Sequence, residues 1–189
     1  MTRQIRITDA IALLGLSLLA LASAAADAPG TIDVATSTIV ATFKQEGVPV
    51  EAAFTRFTGH IVYDAKNVAA ASASADIVTG SLDLGDEAYN AEVRKKGWFD
   101  SATYPKATFR TTSIEGVNAV RFTATGPLTI KGRALVMTVP VTVSTTPAGT
   151  AFDGVFTVSR RAFGIGDAMW DDVIEDKVEV RFHLVDSAK

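Results

Sequence analysis

The sequence predicts an all-β chain: an antiparallel β-barrel of about eight strands with one short α-helix inserted near residues 86–96. Two observations carry this. Apolar residues alternate with polar ones from about Thr31 to Val185, the period of a strand with one dry and one wet face. Only Asp86 to Lys96 breaks the pattern with a charged, helix-like run. Many alternating strands without recurring helices imply an antiparallel sheet that closes on itself or packs on a second sheet.

The chain opens like a secretory signal, with Arg3 and Arg6 ahead of the short apolar core Ile11 to Leu21. Two small-residue cleavage patterns follow, Ala22-Ser23-Ala24 and Ala24-Ala25-Ala26, and a cut after Ala26 is the preferred reading. The apolar run is short for a membrane span. Residues 1–26 are therefore read as a signal peptide and residues 27–189 as one barrel domain. Removing residues 1–26 takes away two of the 18 basic residues and one of the 21 acidic ones, leaving 16 against 20, a net charge of −4. That mixed, mildly acidic balance argues against nucleic acid and against an electrostatic grip on anionic membrane. The chain has no cysteine, hence no disulfide, thiol nucleophile or thiolate metal site. The expected location is the periplasm.

After the lead-in Ala28-Pro29-Gly30, the first strand is Thr38 to Lys44, with Ile39, Ala41 and Phe43 on one face, ended by Gly47-Val48-Pro49. Val50, Ala52 and Phe54 continue as a strand, and Arg56 to Gly59 reads as a bend. Ile61 and Tyr63 share a face of the next strand, with His60 and Val62 on the other. Val68 to Thr79 is rich in alanine, which favours helix, but its ten-residue alternation favours strand. Asp83 or Asp86 caps a helix running to about Lys96, with Glu87 in its first turn and Arg94, Lys95 and Lys96 in its last. Gly97 is the expected left-handed stop, and Trp98-Phe99 then tucks over an apolar opening.

Further strands follow Tyr104-Pro105. Phe109 anchors one. Val120, Phe122, Ala124, Leu128 and Ile130 share a parity interrupted by Gly126-Pro127. Leu135, Met137, Val139, Val141 and Val143 share another, where Pro140 signals an edge or bulge. Phe152, Gly154, Phe156 and Val158 form one face, Arg160 to Asp172 a loop, and Val178, Val180, Phe182 and Leu184 the inner face of the last strand.

Catalytic and metal signatures are weak. His60 and His183 stand alone, short of the three or four ligands that a metal needs. Asp167, Asp171, Asp172, Glu175 and Asp176 lack the spacing and glycine of a calcium loop and read as a solvated acidic stretch. No serine sits in a nucleophile elbow, and Gly164-Ile165-Gly166 without a following helix carries no phosphate signal. The informative feature is the inner face. Phe43, Phe54, Phe109, Phe122, Phe156 and Phe182 share it with Ala41, Ala71, Ala73, Ala124 and Gly154. The simplest reading is a filled core. Yet a barrel of about eight strands has just enough interior for side chains or for one small ligand, and small inward residues leave room for hydrocarbon.

Several stretches in order resemble the YceI-like family of exported, polyisoprenoid-binding bacterial proteins. They are Ile32-Asp33 with Ser37 and Ile39; Gly47-Val48-Pro49-Val50-Glu51 leading to Phe54 and Phe57; Asn90 through Asp100; Tyr104 through Phe109; Gly126, Leu128, Thr129 and Gly132; and Arg161-Ala162-Phe163-Gly164-Ile165-Gly166. The resemblance covers about residues 31–186. It implies a lipocalin-like barrel that holds a long isoprenoid, polyprenyl or quinone-type, without catalytic residues or cofactor. On that basis Phe43, Phe54, Phe109, Phe122, Leu128, Phe156 and Phe182 are wall candidates, and Trp98 and Phe99 close one end. The chain departs from the family pattern at Thr31, often tyrosine; at Ala41, often large and apolar; and at Glu92 and Lys131, histidines in many members. Relatives joined to or encoded near membrane cytochrome b proteins suggest quinone handling. The expected partners are thus an isoprenoid lipid or quinone, a membrane cytochrome b-type protein and a second copy in a homodimer. The rival functions are a lipid- or quinone-modifying enzyme and a stress-related structural module with a filled barrel.

Overall fold

Twelve antiparallel strands form one curled sheet in the computed structural model, which describes residues 30–186. The strands are β1 (Gly30–Thr31), β2 (Thr38–Gln45), β3 (Val48–Phe54), β4 (Phe57–Val62), β5 (Ser72–Val78), β6 (Leu82–Asp83), β7 (Lys106–Arg110), β8 (Ser113–Asn118), β9 (Arg121–Ile130), β10 (Arg133–Thr146), β11 (Gly149–Ser159) and β12 (Lys177–Asp186). Among the described residues there is one α-helix, α1, at Glu87–Val93. The order across the sheet is β1-β4-β5-β7-β9-β10-β11-β12-β2-β3-β6, with β8 paired to β9. The count exceeds the eight or so expected: β1 and β6 are two-residue strands, too short for alternation to register, and β8, which pairs only with β9, is not among the strands read from the sequence. The proposed signal peptide lies outside the described residues.

Two short segments draw the sheet into a barrel. Past β1, which pairs with β4, the Ile32 amide donates to the Gly59 carbonyl (3.2 Å) and the Asp33 amide to the Val185 carbonyl of β12 (2.8 Å). At the other margin β6 continues the chain from β5 through a 3-10 turn, Thr79–Ser81, and pairs with β3.

Four local expectations are corrected. Residues 68–79 are not one strand: a 3-10 turn, Val68–Ala70, precedes β5, which begins only at Ser72. Arg56 to Gly59 is not a bend: Phe57 and Gly59 lie buried inside β4. Gly59 is needed for close approach, since a Cβ there would sit 2.3 Å from Ile32 Cδ1. The helix ends at Val93, and Gly97 is not left-handed; Asp100 is, at φ 49°. The amides of Phe99 and Ser101 donate to the carbonyls of Val93 and Arg94 and cap that end. At its start the Asp86 carboxylate is the cap, accepting from the amides of Ala88 (2.7 Å) and Tyr89 (3.3 Å).

Gly126 and Pro127 do not interrupt β9, which runs through both. Here β9 changes neighbours from β8, paired up to Thr125, to β7, paired from Leu128. The Arg110 carbonyl crosses at that junction, and a Cβ on Gly126 would lie 1.9 Å from its oxygen. Gly126→Ala must therefore displace backbone and is expected to cost at least about 2 kcal/mol, read as a lower denaturant midpoint.

β10 pairs with β11 only from Val141 to Thr146. Pro140 sits where the shared ladder ends, so its missing amide costs no bond to β11. Leu135, expected inside, is 39% exposed because β10 has lost that neighbour there. The turn after β11 packs against this gap. Its Phe163 is fully buried, and Arg133 Nη1 donates to the Ala162 carbonyl (3.0 Å).

At the end of β12 the Asp186 carboxyl is pressed against Gly30, and its Oδ1 has no hydrogen-bond partner. Burial raises its pKa above the ordinary carboxylate value of 3.8. The folded state then holds this proton more tightly than the unfolded chain. Stability is greatest below the unfolded pKa and falls as pH rises through the folded one. Asp186→Asn is expected to raise the melting temperature at neutral pH, with the gain fading below pH 3.8.

Candidate ligand-binding cavity

The inner face encloses a cavity of about 440 Å³, within the range of small-molecule sites, roughly 300–1,000 Å³. It is continuous between two apolar clusters. One surrounds Ile61, Phe122, Val139, Val141 and Phe152; the other surrounds Leu128, Trp98, Phe99, Ile165 and Ile174. Phe54, Phe156 and Val180 belong to both surroundings and join them. Phe122 and Ile130 on β9 both line the space, and at about 3.3 Å per residue they lie roughly 25 Å apart along the strand. The cavity is therefore elongated.

All nine sequence-predicted site residues line this cavity. Phe43 comes from β2, Phe54 from β3, Phe109 from β7, Phe122 and Leu128 from β9, Phe156 from β11 and Phe182 from β12. Trp98 and Phe99 enter from the turns after α1, and Phe99 meets Phe54 edge-on with ring centroids 6.1 Å apart. Ala41, Ala71, Ala73 and Ala124 line it too. Gly154 does not make room for a ligand as expected. The space of its missing side chain is taken by Phe182, whose Cζ would lie 2.3 Å from a Cβ there.

Tyr63 lines one end. Its ring stacks on Phe122 (6.2 Å) and meets Phe152 edge-on (5.3 Å), and its hydroxyl donates to the Ala119 carbonyl. Burial raises its pKa, with the Asp64 charge adding to the effect. The cavity reaches the surface beside α1, where Tyr89, Gln45 and Glu92 line it. Tyr89 is 64% exposed. The polar lining groups are few, and those with charge are already engaged. Glu92 pairs with Lys95 (2.5 Å). Lys131 faces elsewhere: its ammonium donates to the carbonyls of Lys96 (2.8 Å) and Gly164 (2.7 Å), clasping the helix turn to the glycine loop. Burial lowers its pKa, a shift opposed by Asp100.

Sequence reasoning missed Trp170 and Arg160. Trp170 lines the cavity from a 3-10 turn, Ala168–Trp170, with its ring 5.4 Å from that of Trp98. Arg160 is 2% exposed. It donates to the carbonyls of Ile165 (3.0 Å), Trp170 (3.3 Å), Ile174 (2.8 Å) and Glu175 (3.2 Å) and to Asp171 Oδ1 (2.9 Å), gathering the whole 160–176 loop around one guanidinium. The acidic stretch is thus partly internal structure. Asp171 pairs with Arg160 and Arg161, and Asp176 accepts from Ser159 (2.8 Å) and the Arg161 amide (3.0 Å). For Asp176 burial opposes ionisation, but those hydrogen bonds and the nearby arginines hold its pKa below the usual value. His183 meets Asp153 at 2.6 Å on the outer face. Among the described residues no group of three or more metal-ligating side chains converges.

Comparison with known proteins agrees with this geometry. The model of the YceI-like domain matches residues 31–185. A UPF0312 protein of Shewanella sp. (strain ANA-3) is 30% identical over 82% of this chain and 85% of its own length. A UPF0312 protein of Vibrio parahaemolyticus is 27% identical over 55% of this chain, and that match spans only about half, 53%, of the relative. Among solved structures, BcnA of Burkholderia cenocepacia is 42% identical, with a TM-score of 0.78 over 82% of this chain and 98% of its own. A polyisoprenoid-binding domain from Saccharophagus degradans, 19% identical, shares the fold with a TM-score of 0.67 over 84% of this chain and 98% of its own. With an apolar-walled barrel and a family match over nearly all its described residues, the chain belongs to the YceI-like family.

Proposed function

We propose that this chain is a non-enzymatic binding protein that holds one long isoprenoid, polyprenyl or quinone-type, in its barrel. The observation that carries the reading is the elongated cavity walled by apolar side chains, with its charged lining groups already paired. An isoprenoid tail needs little else. Each buried methylene contributes about 0.8 kcal/mol, so each five-carbon unit adds on the order of 4 kcal/mol before the costs of association. The polar head rests near Gln45, Tyr89 and Glu92, where the cavity meets water. The polyisoprenoid-binding neighbour from Saccharophagus degradans supports the ligand class. In this reading residues 1–26 are a cleaved signal, the mature chain is a periplasmic carrier, and a membrane cytochrome b-type protein is the exchange partner if the cargo is a quinone.

The two tryptophans of the chain, Trp98 and Trp170, both line the cavity, so intrinsic fluorescence reads its occupancy. Titration with a polyprenol, and separately with a ubiquinone, is expected to change their emission saturably, with strong quenching by the quinone ring only if the head lies at the tryptophan end. Emission unchanged by both ligands overturns the reading.

A further inference from the structure

Three elements surround the end of the cavity that opens beside α1, and each presents an apolar or amphipathic side chain to water. Val48 stands at the tip of the β2–β3 hairpin and is 63% exposed; Tyr89 on α1 is 64% exposed; Met169 in the 3-10 turn at Ala168–Trp170 is 75% exposed. Each is tied to the cavity wall. Val48 precedes lining Val50 by two residues, Tyr89 lines the cavity itself, and Met169 adjoins lining Trp170. The three elements are also tied to one another. The Glu46 amide at the hairpin turn donates to the Val173 carbonyl (2.7 Å), and the Glu175 amide donates to the Lys44 carbonyl (2.9 Å). The ring of Trp98, just after α1, packs on that of Trp170. Single exposed apolar residues are ordinary on protein surfaces, but three on separate, mutually braced elements around one apolar opening form a rim.

We propose that this rim seats the opening on the interfacial layer of a zwitterionic lipid bilayer, so that cargo passes between bilayer and barrel without crossing water. The inference rests on the isoprenoid-binding reading. A long apolar tail leaves water-exposed intermediates prohibitively unfavourable, so exchange at a useful rate requires the opening to meet the bilayer directly. Aliphatic, thioether and phenol side chains are the types that settle at the headgroup boundary. The charge around the rim selects the surface. Lys44, Arg94 and Lys95 are paired with Glu175, Glu87 and Glu92, and exposed Glu46, Asp172 and Lys96 stand on or beside the same three elements, so the local charge is mixed in sign. There is no basic field to favour anionic lipid.

The test is transfer of a pyrene-labelled polyprenol from loaded protein to phosphatidylcholine vesicles. The wild-type chain is compared with the double variant Val48→Asp/Met169→Asp and with Val136→Asp, a side-wall substitution at a residue 72% exposed on β10. The double variant is expected to bind the probe as wild type does but to transfer it at least tenfold more slowly, with transfer rising with vesicle concentration only for wild type and Val136→Asp. Neither substituted rim residue lines the cavity, so failure to bind the probe at all in the wild-type chain sinks the functional reading, whereas binding with unchanged transfer in the double variant sinks only the rim. Equal slowing in Val136→Asp also overturns it, as does a wild-type dimer that the rim substitutions dissociate, since a second copy would then cover the rim.

Discussion

Phe182→Asp is expected to abolish isoprenoid retention. Phe182 projects from β12 into the cavity, over Gly154 and beside Phe156, with ring centroids 6.5 Å apart. A carboxylate at that place would face the apolar cavity wall, at a cost of several kcal/mol whenever a tail is bound. Water can solvate the charge in the empty barrel, so the penalty falls on the loaded state, and added polyprenol should bind at least a hundredfold more weakly. Phe122→Asp is expected to lose retention for the same reason, although Phe122 also stacks on Tyr63 and the substitution would remove that contact. Ala41→Trp separates loss of cavity from loss of fold. Ala41 lines the cavity and is 7% exposed. In a filled core such an enlargement costs about 1–3 kcal/mol. In a hollow barrel the indole enters free space, and the denaturant midpoint should hold or rise while binding disappears. A large drop in midpoint with no space for the ring would mean the interior is already full.

Arg160→Met is expected to be the most destabilising single substitution on the loop side, at about 3–5 kcal/mol. It would leave four backbone carbonyls and Asp171 without the donor that they share. Lysine should not rescue it, because three rotatable donors on a point charge cannot replace the planar fork of five. The loop positions Trp170 and Ile174 on the cavity wall, so polyprenol affinity should fall together with stability. Chemical denaturation followed by tryptophan emission reads the stability, and polyprenol titration reads the affinity. A midpoint within experimental error of wild type would show that the guanidinium is dispensable to the loop.

The inner faces were legible because alternation is a direct imprint of burial. On β12, Val178, Val180, Phe182 and Leu184 face the cavity, while Lys177, Glu179, Arg181 and His183 lie on the opposite face. What sequence could not reveal depends on partners distant along the chain. Gly59 reads as a bend until Ile32 is placed against it, and Gly126 reads as an interruption until the Arg110 carbonyl is seen to cross it. Gly154 looks like vacant space until the Phe182 ring fills it. Leu135 keeps the inward parity, but β10 has no β11 neighbour at that point, so parity alone overstates its burial. Arg160 stands beside Arg161 in an acidic loop and resembles a solvated pair of charges. Only the fold of the loop turns it inward, and Trp170 goes with it. The acidic loop's tryptophan was a signal available in the sequence, since a large aromatic amid aspartates has little reason to stay in water.

A barrel that carries an isoprenoid must be hollow and must leave the cell loaded. Native mass spectrometry of the protein purified from its own cells, with and without organic extraction, tests this most directly. One added mass per chain is expected, removed by extraction and identified as a polyprenyl or quinone-type lipid. A single unliganded mass, unchanged by extraction and by incubation with polyprenol, would contradict it.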